Sequence, residues 1–99
     1  MLQPYSDKPE STGLLRMPPQ ELAPAVQKWV DAGYQVNTHA IGDRANRLAI
    51  QAYESVVSRV GMERDLRLRI EHAQIIVRLP SSSFLLLSAD LPFPQNVVA

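Results

Sequence analysis

The sequence predicts an α/β fold in which short strands pair in parallel and helices cover them. Three observations predict it. Apolar residues recur at helical spacing in two stretches, and each stretch is closed by a glycine and followed by a segment rich in strand formers. The only two histidines, His39 and His72, fall at the ends of those two segments. In a parallel sheet the carboxyl ends of the strands form the edge where ligands and metals bind.

Residues 1–17 carry Pro4, Pro9, Gly13, Ser6, Asp7, Ser11 and Thr12 and read as a loop, because proline removes donors and the short polar side chains favour turns. Pro18-Pro19-Gln20-Glu21 then starts a helix, with proline and an acid in the first turn. Leu22, Val26, Trp29 and Val30 give it one apolar stripe, and Gly33 suits a glycine cap at its end. Residues 34–39 form a strand with little alternation, as expected where both faces are buried. After the Ile41-Gly42 turn, Asp43 caps a long helix that reaches about Val60. Ala45, Leu48, Ala49, Ala52, Tyr53, Val56 and Val60 form its apolar face; Arg44, Arg47, Gln51, Glu54 and Arg59 mark the wet side. Gly61 closes it. Leu66, Leu68 and Ile70 alternate with Arg67, Arg69 and Glu71, a period-two strand over residues 66–72. Residues 77–99 hold no sustained period and are expected to be an irregular tail, with a short strand conceivable at residues 84–87.

Ten basic residues balance ten acidic ones, which removes the electrostatic argument for nucleic acid or an acidic membrane surface as a partner. There is no cysteine, so a metal would have to be held by imidazole and carboxylate. The amino terminus has no charged leader followed by an apolar run, and Phe84-Leu85-Leu86-Leu87 is far too short to span a bilayer. A cytoplasmic protein is the default expectation.

Two imidazoles at successive strand ends can aim at one point, and zinc or another borderline metal accepts such nitrogen ligands. The competing reading makes His39 and His72 ordinary histidines beside buried backbone. Asp43 has two compatible roles, helix cap and partner to a ligand or substrate. Arg44 suits an anionic substrate group, an ion pair with a neighbouring carboxylate or, more in keeping with its place, solvated helix surface. Glu71 should point away from His72 if the strand alternates, which favours an ion pair unless the strand end twists. A phosphate site at Gly42-Asp43-Arg44 ranks low, since an aspartate in the first turn repels an anion.

Five motifs carry a family resemblance: Tyr5-Ser6-Asp7-Lys8-Pro9, Thr12-Gly13-Leu14-Leu15, Met17-Pro18-Pro19-Gln20-Glu21-Leu22, His39-Ala40-Ile41-Gly42-Asp43-Arg44-Ala45 and Arg69-Ile70-Glu71-His72-Ala73-Gln74. In order and spacing they resemble the third amidohydrolase family, the branch of the metal-dependent hydrolase superfamily that includes N-substituted formamide deformylases. The resemblance implies a (β/α)8 TIM-type barrel with a small β-domain. It also implies zinc or another divalent metal, and hydrolysis of non-peptide, amide-like carbon–nitrogen bonds in a small-molecule substrate. By position, His39 would be the strand-five ligand and His72 the strand-six ligand; Asp43, Arg44 and Glu71 are carried over as site-lining candidates.

Departures from the family pattern define what is expected of this chain. The first-strand His-x-His pair is not present, a strand-four residue would lie before Met1, and the strand-eight aspartate would come after residue 99. Asp90 lies too close to His72 to take that part. Residues 1–76 are thus expected to be a partial barrel segment, residues 77–99 a tail outside the family pattern, and the chain alone an inactive fragment whose open sheet edges can self-associate. A barrel needs about 250 residues. The alternative is a non-catalytic α/β interaction module that has lost the chemistry.

Overall fold

The computed structural model describes residues 1–61 and 63–76. Four elements follow one another: helix α1 (Pro19–Asp31), strand β1 (Asn37–Ala40), helix α2 (Asp43–Val60) and strand β2 (Arg69–His72). The two strands pair in parallel, with Asn37 opposite Arg69 and Ala40 opposite His72. The α/β expectation is met. A closed barrel would need more strands than the described residues contain, and the expected tail at residues 77–99 lies outside them.

Helix α1 begins with Pro19 in the first turn and has Glu21 near its start and Lys28 near its end, each sign matching the helix dipole. Its end is a Schellman motif. Gly33, at φ +87°, donates to the Val30 carbonyl at 3.0 Å, and Tyr34 donates to the Trp29 carbonyl at 3.0 Å. The Trp29 and Tyr34 rings meet edge to face at 5.5 Å, the apolar contact that accompanies this cap. Trp29 therefore departs from the expected stripe: it is half exposed, with Lys28 Nζ 5.7 Å from its ring centroid, while Val26 and Val30 are buried. Tyr34 belongs to the cap, so β1 starts later than residue 34.

Helix α2 starts at Asp43 with Gly42, not Asp43, in the capping position. Its buried face holds Ala49, Ala52, Tyr53 and Val56 as expected, together with Asn46, Ile50 and Val57, which the apolar pattern had not singled out. Arg67, at φ +49°, interrupts the extended backbone and shortens β2 at its start.

The core is one cluster, Val26, Val30, Tyr53, Val56, Val57 and Leu68, flanked by Leu22, Val36, Val60, Leu66 and Ile70. It lies where both helices meet one face of the sheet. The opposite face carries Asn37 and His39 from β1 beside Arg69 and Glu71 from β2, with His39 exposed. The loop before α1 is held by its own backbone bonds, Tyr5 N to Ser11 O at 3.0 Å and Lys8 N to Tyr5 O at 3.1 Å. No helix among the described residues is long and apolar enough to cross a membrane.

One hydroxyl joins α2 to both strands. Tyr53 Oη lies 2.6 Å from the Arg69 carbonyl and 2.6 Å from Thr38 Oγ1. A carbonyl only accepts, so the phenol donates to Arg69 and accepts from Thr38. Burial pushes the Tyr53 pKa from 10.0 up to about 12, against the opposing effect of the Thr38 hydrogen bond. Replacing Tyr53 by Phe removes both hydrogen bonds and should lower stability by about 1–3 kcal/mol in a denaturant titration. In the wild-type chain, unfolded phenol loses its proton first as pH rises from about 10 towards about 12, so stability should fall across that window by roughly 2–3 kcal/mol. The Tyr53→Phe variant should lack that share of the decline.

Candidate metal centre

Both histidines sit at the carboxyl ends of neighbouring parallel strands. His39 is the register partner of Glu71, which puts those two side chains on the exposed face of the sheet. Strict alternation would put His72 on the other face with Ile70. It does not land there. His72 has φ +78° and Ala73 φ +46°, and this left-handed turn brings the His72 ring to 4.5 Å from the His39 ring, centroid to centroid, with the planes at 73°.

Such backbone costs on the order of 1–3 kcal/mol per non-glycine residue and persists only where the surroundings hold it. Here the surroundings do. Ala73 N donates to the Ala40 carbonyl at 2.9 Å and Ile75 N to the Ile41 carbonyl at 3.0 Å, tying the segments that follow the two strands. Both imidazoles are exposed and face each other edge on, an arrangement open to a shared ligand.

Two imidazoles supply half of a four-coordinate donor set and fit a divalent cation to that extent. Among the described residues no group of three or more His, Asp, Glu or Cys side chains gathers to complete it. Glu71 pairs with Arg69 at 3.3 Å, the ion pair expected from its place on the strand. The expected opposition of Glu71 and His72 fails at the strand end, because the turn at His72 overrides the pleat.

Asp43 is almost completely buried and is not the helix cap that the sequence suggests. From the first position of α2 its Oδ1 accepts from Leu2 N at 2.8 Å and Arg44 N at 2.7 Å. This carboxylate anchors the amino-terminal loop against the helix start, where the positive end of the dipole favours it. The Arg44 side chain is exposed and makes no ion pair among the described residues.

Sequence reasoning passed over Asn46. It is buried, and its amide nitrogen reaches Ile41 O at 3.1 Å, Gly42 O at 3.0 Å and Ile75 O at 3.1 Å. A signal was there to be read: Asn46 stands three residues before Ala49 and seven before Tyr53, a polar residue on the apolar stripe.

Replacing Asp43 by Ala should cost about 1–2 kcal/mol, since two backbone donors lose a charged acceptor. Asp43→Asn keeps an acceptor oxygen and should cost less, a ranking that parallel urea titrations would check.

The sequence profile of the amidohydrolase family matches residues 1–92 and so reaches beyond residue 76. The chain is also 46% identical over 70 residues to Protein LONG AFTER FAR-RED 3 of Arabidopsis thaliana, an alignment that takes in 71% of this chain and 12% of that protein. The chain thus spans about an eighth of the length of the curated relative it matches. No solved structure matches it. On the strength of a family match along nearly its whole length, this chain belongs to the amidohydrolase family.

Proposed function

We propose that the chain carries part of the metal centre of a hydrolase acting on non-peptide carbon–nitrogen bonds of amide-like small molecules, in the formamide deformylase-like branch of its family. One observation carries the reading: two exposed imidazoles, 4.5 Å apart, at the ligand-binding edge of a parallel sheet in an amidohydrolase chain. His39 and His72 are the residues that would hold zinc or another divalent cation, with the remaining donors supplied from outside the described residues. When bound, such a cation polarises a carbonyl oxygen and lowers the pKa of water to about 7.

The parts assigned to this chain's own residues are positional. His39 and His72 offer ring nitrogens from adjacent strands, and the turn at His72 sets the angle between the rings. Asp43 is committed to Leu2 N and Arg44 N, so it braces the helix start beside the site. Arg44 is exposed on the first turn of α2 and is proposed as a group that lines the substrate approach. Glu71, paired with Arg69, neutralises a cation below the imidazoles. With two candidate ligands and no general base beside them among the described residues, the chain alone is proposed to be inactive.

A second reading keeps the fold and drops the chemistry. Each strand pairs on one side only among the described residues, an edge that a further strand could extend. This reading makes the chain a non-catalytic α/β module that associates through its sheet.

Zinc titration by calorimetry separates the two. Under the hydrolase reading His39→Ala and His72→Ala each weaken zinc binding at least about tenfold. Equal zinc binding by the wild-type chain and the double variant would overturn that reading and favour the module. In a protein that contains this segment with the rest of its site, a chelator should abolish hydrolysis of formamides, N-acyl amino acids or cyclic amides, and added zinc should restore it.

A further inference from the structure

Asn46 is the most deeply buried polar side chain among the described residues, at 1% exposure. It touches the backbone just past each histidine. Its Nδ2 reaches Ile41 O and Gly42 O, two and three residues after His39, and Ile75 O, three residues after His72. Two amide hydrogens serve three carbonyls, so one is shared.

The three bonds differ in what they add. Gly42 O already accepts from Asn46 N at 2.9 Å, and Ile41 O from Ile75 N at 3.0 Å. Ile75 O, by contrast, meets the Asn46 amide as its hydrogen-bond donor among the described residues. That single bond runs from a rigid helix to the segment leaving the left-handed turn at His72 and Ala73. Meanwhile Asn46 Oδ1 is buried with no partner among the described residues. An orphaned acceptor is unfavourable, so the fold draws on this amide as a donor.

We infer that Asn46 is a positioning residue for the His39–His72 pair. Its amide clamps the two segments that follow the strands and so holds the turn that swings the His72 ring onto the face of His39. The inference rests on the proposed reading of the two imidazoles as a ligand pair for its functional meaning, though not for its geometry. A side chain that aims a ligand from one layer away typically sets how well the ligand pair is preorganised.

The test is proton NMR on the intact chain without metal. Rings at 4.5 Å should give a cross-peak between His39 and His72 ring protons in the wild-type chain. Its absence there would overturn the inference at once. In Asn46→Ala and Asn46→Ser the cross-peak should fall at least threefold, while cross-peaks from the Tyr53 ring to Leu68 and Val56 persist and report an intact core. The serine variant guards against simple unfolding. Its hydroxyl can still bond the Gly42 carbonyl four residues back, but it is shorter and carries no amide to reach Ile75. A wild-type His39–His72 cross-peak in either folded variant would overturn the inference. So would loss of the Tyr53 cross-peaks in both, because Asn46 would then govern folding at large. Zinc binding unaffected by His39→Ala and His72→Ala would sink the ligand-pair reading and leave the cross-peak result standing.

Discussion

The bond from the Tyr53 hydroxyl to the Arg69 carbonyl, with the Thr38 hydroxyl donating to the phenol oxygen, is the interaction on which the rest of the structure depends. Strands of four residues offer each other few ladder bonds, and a two-stranded sheet is marginal by itself. The phenol lies inside the cluster formed by Val26, Val30, Val56, Val57 and Leu68, so the packing that buries it also fixes where its hydroxyl sits. From there it grips β1 through a side chain and β2 through the main chain. The relative height of the two strands follows, and with it the juxtaposition of their ends.

Two buried side chains on one helix thus divide the labour. Tyr53 pins the strands near their starts, and Asn46, seven residues earlier, pins the segments that leave them. Asp43 completes the row by fastening the amino-terminal loop. All three are polar; Asp43 and Asn46 spend their hydrogen bonds on backbone, and Tyr53 divides its two between the Arg69 carbonyl and the Thr38 side chain. Helix α2 thereby acts as the template for the rim. The imidazoles themselves make no hydrogen bond to other side chains among the described residues, and owe their approach to the main chain beneath them.

How much of this was legible in the sequence differs by level. The helices announced themselves through Val26 and Val30 and through Ala49, Ala52, Tyr53 and Val56, because burial of a helical face leaves a three- and four-residue spacing. The alternation of Leu66, Leu68 and Ile70 marked the second strand for the same reason. That the two histidines lie at one edge followed from parallel pairing. That their rings meet could not be read, since it depends on positive φ at His72 and Ala73, a backbone region uncommon for any non-glycine residue and not marked by the spacing. Trp29 misled because spacing alone does not distinguish a core position from the cap that Tyr34 completes. Asn46 was hidden by an opposite habit, that of reading polarity on a helix as exposure.

The lone tryptophan has a practical consequence. Its indole sits half in solvent against Tyr34, outside the cluster that holds the two helices and the sheet together. Its intrinsic fluorescence would therefore follow fraying of one helix end, and a melt recorded by that emission alone would report a local event as though it were the loss of the whole fold.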